Sequence, residues 1–155
     1  MHKQSRIFKP GVLLHSGTTK DGKEVIVSTL SRSDSDITKL NSREYGLDVN
    51  YELMGMRRKE NVFLVARVEG ECAGYCRIDN LHGGTYAYVH MIYVATEHRR
   101  NQVGGILIDA SLEVAKRLGV SSVFLHSERK GARSLYRSRG FRPDRLHGIM
   151  RRGII

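Results

Sequence analysis

One stretch of this chain changes its hydrophobic period twice in quick succession, and that restricts the fold more than any other feature. Tyr86 to Val94 alternates as a strand does. Tyr86, Tyr88, His90, Ile92 and Val94 are predicted on one face and Ala87, Val89, Met91 and Tyr93 on the other. Both sets are mostly apolar, so the strand is expected inside a sheet. After a turn, Val103, Leu107, Ala110, Val114 and Leu118 recur at steps of four, three, four and four, the spacing of an amphipathic helix, and Gly119 is placed to end it. Val120 to His126 then returns as a strand. This order implies a crossover, right-handed by the general rule, and a parallel pair inside a mixed sheet.

The link between strand and helix is Arg99-Arg100-Asn101-Gln102-Val103-Gly104-Gly105. It has the layout of a phosphate-holding turn. Small residues let backbone N–H groups crowd together, and the helix that follows aims its positive dipole end at whatever anion sits there. A nucleotide-tailed cofactor is the leading expectation, with an ordinary turn before a helix as the alternative.

The rest of the chain reads as further strands and helices. Gly11 to His15 and Lys23 to Leu30 flank Thr19-Lys20-Asp21-Gly22, whose Asp-Gly pair signals a hairpin. Ser31 to Asp36 offers N-caps for a helix through Leu40, and a second helical piece is predicted over Val49 to Arg57. Asn61 to Val68 suits a strand buried on both faces, and Glu69-Gly70-Glu71 turns the chain into a strand from Cys72 to Ile78. A loop over Asp79 to Thr85, containing Gly83-Gly84, leads to Tyr86. A helix from about Arg129 to Arg139 stops at Gly140, and strands are expected from Phe141 and around Ile149. Together these give an α/β (α+β) architecture, a central mixed and mostly antiparallel twisted sheet of about six to seven strands flanked by about four helices.

With 155 residues, 40% hydrophobic and 27% charged, one compact domain over residues 1–155 buries a core without disulfides or a structural metal. No apolar run approaches the ~20 residues of a membrane span, so no membrane partner is expected. The basic Met1-His2-Lys3-Gln4-Ser5-Arg6 lacks the apolar core of a secretory signal, which points to the cytoplasm. Cys72 and Cys76 have no second pair to complete a zinc site and read as buried free thiols; no metal is expected. The formal charge of +10 gathers late in the chain, at Arg129, Lys130, Arg133, Arg137, Arg139, Arg142, Arg145, Arg151 and Arg152. Such an excess favours a polyanion such as RNA or an acidic cofactor, against the alternative of a solubilising surface.

Two motifs carry a resemblance to a known family. Arg99-x-x-Gln102-x-Gly104, followed by Leu107 and Ile108, is similar to the Arg/Gln-x-x-Gly-x-Gly/Ala pattern of the GNAT superfamily of acyl-CoA-dependent N-acyltransferases. Ala132-x-x-Leu135-Tyr136-x-x-x-Gly140-Phe141 resembles the family's Asn-x-x-Ala-x-x-Leu-Tyr-x-x-x-Gly-Phe, and is the more specific match. Gln102 stands where the first family glycine does, and Arg129 where the family has asparagine. Lys20 to Val27 looks like the family's opening hairpin, so the likeness spans nearly the whole chain.

The resemblance implies an acetyl-CoA-dependent N-acetyltransferase that works by direct transfer in a ternary complex. Arg99, Arg100, Asn101, Gln102, Val103, Gly104 and Gly105 would hold the pyrophosphate, Arg129 and Arg133 would add contacts, and backbone N–H from Ile92, Tyr93 or Val94 would meet the thioester oxygen. Tyr136 would protonate the departing thiolate, with a packed aromatic as the alternative. Tyr88 occupies the place of the family's glutamate base, and His90, two residues on, is the side chain best tuned to take a proton; a purely structural histidine remains the alternative. Lys130, Arg133 and Arg137 recur at steps of three and four beside Tyr136, where cofactor or RNA phosphate could bind, or simply solvent. The acceptor is expected among small amines, proteins and aminoacyl-tRNA, and a homodimer is allowed. The competing class is a non-catalytic module that keeps the fold and binds nucleic acid or protein.

Overall fold

The computed structural model describes residues 11–30, 61–81, 85–127, 130–145 and 148–154. In chain order the elements are β1 (Leu13–Thr18), β2 (Glu24–Thr29), β3 (Asn61–Val68), β4 (Glu71–Leu81) and β5 (Tyr86–Val94). A 3-10 turn (Thr96–His98), α1 (Val103–Leu118), β6 (Ser122–His126), α2 (Lys130–Ser138), β7 (Arg142–Pro143) and β8 (Ile149–Gly153) follow. The strands form one sheet in the order β1-β2-β3-β4-β5-β6-β8-β7. Every neighbouring pair is antiparallel except β5 with β6, which is the parallel pair the crossover requires. The eight strands among the described residues exceed the six to seven expected, β7 being only two residues long. The helices predicted at Ser31 to Leu40 and Val49 to Arg57, the Gly83-Gly84 loop and Arg129 lie outside the described residues.

Local chemistry sets the turns. The Asp21-Gly22 signal becomes a hairpin closed by Thr19 N–H to Lys23 O at 2.9 Å, with Gly22 at φ +85°. Glu69 and Gly70 both take positive φ between β3 and β4, the requirement of a two-residue turn that matches strand twist. Gly119 ends α1 in the left-handed conformation, its N–H reaching the carbonyls of Ala115 and Lys116.

The main core lies between α1 and one face of the sheet. Val103, Ile106, Leu107, Ala110 and Val114 meet Val62, Leu64, Ala66, Cys76, Ile78, Ala87 and Val89 there. Leu30, Phe63, Val65, Cys72, Tyr75, Tyr93 and Ala95 make a second cluster on the opposite face, with the Phe63 and Tyr75 rings stacked at 5.4 Å.

Two bulges decide which side chains share a face. In β4, Ala66 pairs with Gly74 but Arg67 with Cys72, so β4 carries one extra residue at Ala73. Cys72 and Cys76, which an unbroken strand would place on one face, therefore belong to opposite clusters. In β5, Tyr75 pairs with Tyr93 but Arg77 with His90, so the extra residue lies between His90 and Tyr93. This corrects the unbroken alternation expected for Tyr86 to Val94. Ile92 and Val94 pack with Ala87 and Val89 against the α1 core, whereas Tyr93 turns to the second cluster.

Candidate active site

The parallel pairing of β5 with β6 runs from Tyr86 opposite Ser122 to Val89 opposite Leu125 and stops there. β6 continues for one residue to His126, while β5 continues for five to Val94. The two strands thus part company, and the end of β5 borders an opening in the sheet. Gly74 fixes how closely β4 follows: a β-carbon there would lie 2.5 Å from the Tyr93 carbonyl oxygen and 3.3 Å from Val94 Cα.

After β5 the chain makes the 3-10 turn and enters the loop Arg99 to Gln102. Arg100 (φ +59°) and Gln102 (φ +71°, ψ 0°) are both left-handed, and Gln102 is the N-cap residue of α1 without a side-chain capping bond. A non-glycine residue in this region costs about 1–2 kcal/mol, so Gln102 strains a position where a glycine would not. The first intrahelical bond is Ile106 N–H to Gln102 O at 3.0 Å. The earlier N–H groups, from Val103 to Gly105, therefore have no helical acceptor, and the first turn holds no acidic residue to oppose an anion. A β-carbon on Gly104 would lie 3.4 Å from Leu135 Cδ2 and 3.8 Å from Val94 Cγ2. The helix start, the end of β5 and α2 thus meet at one point.

Two side chains of the predicted phosphate set are engaged elsewhere. Arg99 Nε donates to the Val94 carbonyl at 2.9 Å, and its guanidinium lies 5.9 Å over the Tyr93 ring. The Asn101 carboxamide binds the β1–β2 turn, accepting from Lys20 N–H at 2.9 Å and donating to Asp21 Oδ1 at 3.2 Å.

Tyr136 is buried on α2, edge-on to Phe141 with centroids 6.1 Å apart. Its backbone carbonyl accepts from the N–H groups of Arg139 and Phe141, closing the helix before Gly140, at φ +90°. Arg133 Nε donates to the Ser127 carbonyl at 3.2 Å, tying α2 to the end of β6. Arg139, absent from the predicted set, lies over Gly105, where an added β-carbon would come within 2.8 Å of its Cζ. Its Nε also reaches Asp109 Oδ1 at 3.3 Å.

On the sheet face away from α1, Tyr88 and His90 are neighbours, ring centroids 6.0 Å apart. Asp79 stands opposite Tyr88 and Arg77 opposite His90. Arg77 holds Asp79 through two bonds, Nε to Oδ1 at 2.9 Å and Nη2 to Oδ2 at 3.2 Å. Burial first, and the Asp79 charge second, push the Tyr88 phenol above its ordinary pKa, so it keeps its proton at neutral pH. His90 is exposed.

The sequence profile of the acetyltransferase (GNAT) family matches residues 29–141. The chain belongs to the GNAT family. It is 31% identical over 93 residues to an uncharacterized N-acetyltransferase of Methanocaldococcus jannaschii, a match covering 56% of the chain and 41% of that protein. The chain therefore spans well under half the length of this curated relative. Among solved structures, an aminoglycoside 6'-N-acetyltransferase complexed with coenzyme A superposes with a TM-score of 0.69 at 18% identity, over 84% of this chain and 97% of that one. A Salmonella typhimurium protein with its cofactor acetyl-CoA gives 0.70 at 15%, over 84% and 94%. The ribosomal-protein-S18-alanine N-acetyltransferase of Escherichia coli gives 0.68 at 17%, also over 84% and 94%. At these identities the structures share the GNAT fold with this chain.

Within this GNAT domain Cys72 and Cys76 are both buried, and neither forms a disulfide. Burial raises the Cys76 thiol to about 12, a hydrogen bond with Ser111 opposing this only in part, so Cys76 is no thiolate at neutral pH. Among the described residues no helix is long and apolar enough to cross a membrane. β4 runs on to Leu81 and carries Asp79, where the sequence predicts a loop from Asp79 onward. The alternation of Arg77 and Asp79, two opposite charges two apart, was the available signal that β4 continues.

Proposed function

We propose that this protein is an N-acetyltransferase that carries the acetyl group of acetyl-CoA to a primary amine by direct transfer. The observation that carries the reading is the left-handed loop at Arg100 and Gln102, which feeds an uncapped helix start beside the opening between β5 and β6. The residues fit a pyrophosphate: N–H donors without a helical acceptor, no acidic residue in the first turn of α1, and Gly104 at the helix start with no side chain between the backbone and a ligand. Acetyl-CoA supplies an acyl thioester, and the chain must supply the rest.

A backbone N–H of Ile92 or Val94, on the stretch of β5 beyond its pairing with β6, donates to the carbonyl oxygen as charge develops, while Tyr93 between them pairs with Tyr75 of β4. Tyr136 gives its proton to the leaving sulfur. The amine must be neutral to attack, and His90 takes its proton, directly or through water; Tyr88 beside it keeps its own proton and is not the base. The raised Cys76 thiol supports direct transfer without an acyl-enzyme. Arg133 on α2, and Arg139 just after it over Gly105, add positive charge.

The test is thermal denaturation with acetyl-CoA. At 100 times its dissociation constant the ligand is expected to add ~2.7 kcal/mol of stability. No shift at saturating ligand would leave the second reading, a GNAT fold kept for binding alone, for which the strained Gln102 speaks.

The acceptor belongs among small amines, proteins and aminoacyl-tRNA. Arg137, Arg142, Arg145 and Arg151 are exposed and favour an RNA-borne amine. Four phosphate contacts give a salt slope of roughly −3.6, so RNA affinity should fall about 100-fold from 50 to 200 mM salt. Filter binding with a small RNA checks this, and a flat response would assign the arginines to solubility.

A further inference from the structure

The loop that the proposed function gives to the cofactor is clasped from outside by the β1–β2 turn, at the residue between its two left-handed positions. Asn101 presents a carbonyl to Lys20 N–H and an NH2 to Asp21 Oδ1. Only one orientation of the amide satisfies both, since the backbone N–H can only donate and the carboxylate can only accept. Asp21 is itself fixed. It accepts from the Thr19 hydroxyl and lies 3.8 Å from Lys23 Nζ, while Thr19 Oγ1 accepts from Lys23 N–H at 2.9 Å. The Thr19 and Asn101 hydrogen bonds hold the Asp21 carboxyl below its ordinary pKa, so it stays ionised at neutral pH.

We infer that Asn101 is a positioning residue for cofactor binding, a latch by which the β1–β2 turn holds Arg100 and Gln102 in the left-handed conformation that aims the α1 N–H groups. The conformation needs holding because neither flanking residue is glycine. Without the latch the loop relaxes toward right-handed backbone, and affinity falls by the fraction of molecules left competent. This inference rests on the acetyl-CoA reading for its functional readout, but the latch itself is measurable in the free protein.

The experiment compares wild type with Asn101→Ala, Asp21→Ala, the double variant, and Asn101→Ala with Gln102→Gly. Acetyl-CoA titration should show about a tenfold weaker Kd for each single variant, with KM raised and kcat unchanged. The double variant should be no weaker than Asn101→Ala alone, because that substitution already removes both bonds of the clasp. Gln102→Gly should restore the Asn101→Ala affinity to within about threefold, since glycine adopts positive φ freely. Amide exchange at Ile106, whose N–H bonds the Gln102 carbonyl, should quicken in the free protein of both single variants. An unchanged Kd in Asp21→Ala overturns the latch, and so does an Asn101→Ala loss that glycine does not rescue, which would make Asn101 a direct contact. If wild type binds no acetyl-CoA, the proposed function falls. The exchange rates then decide the latch alone: faster exchange upholds it and unchanged exchange overturns it.

Discussion

Replacing Tyr136 with phenylalanine is expected to lower kcat about 100-fold, the usual contribution of a positioned acid, while Kd for acetyl-CoA stays within about twofold. The substitution keeps the ring, its edge contact with Phe141 and its place in the core, and removes one oxygen. Loss of kcat without loss of affinity marks an interaction made only as the sulfur departs. The leaving group gives a second readout. A poorer thiol leaving group needs the acid more, so the deficit should shrink with an acyl donor whose thiol is more acidic. Unaltered turnover would reduce Tyr136 to packing, and the proton would have to come from water.

The other large effect is expected at Gly74. A β-carbon there meets the Tyr93 carbonyl oxygen at 2.5 Å, Val94 Cα at 3.3 Å and Leu107 Cδ1 at 3.3 Å. Two of these three atoms belong to the main chain and cannot swing aside, so the end of β5 must move. Gly74→Ala should destabilise the fold by about 3 kcal/mol, which for a domain of this size lowers Tm by roughly 6–12 °C. It should also weaken acetyl-CoA binding, because the displaced segment carries the N–H groups assigned to the carbonyl oxygen. Gly131→Ala is the control: a β-carbon there meets nothing within 4 Å, and alanine favours the helix. A Gly74→Ala protein with wild-type stability and affinity would show that β4 does not set the course of β5.

Periodicity alone located β3, β5 and α1 to the residue, because each has a long, one-sided or two-sided apolar pattern that local sequence expresses. It could not see the bulges. An inserted residue shifts the parity of a strand without changing its composition, so Ile92 and Val94 were placed with Tyr88 when they belong with Val89. The end of β4 was lost for a related reason: Asp79 reads as loop until Arg77 and Tyr88 are seen beside it. Of the candidate site, Gly104 and Tyr136 were legible as candidates because glycine and tyrosine at fixed spacing are local signals, and Gly104 lies against Leu135 beside Tyr136. The bond from Asn101 to a turn some eighty residues earlier has no local signature. The displacement of Arg99 onto the Val94 carbonyl is likewise a matter of side-chain direction, which spacing does not encode.

Arg139 has a bearing on how the domain comes apart. α2 has nine residues, short for a helix to persist unaided in water. The Arg139 guanidinium, seated where Gly105 has no side chain and bonded to Asp109, fastens its far end to α1. Fraying that frees this arginine would also release the turn that orients Tyr136. The helix that carries Tyr136 thus has no independent existence as a folding unit, and how long it stays folded is set by its hold on α1.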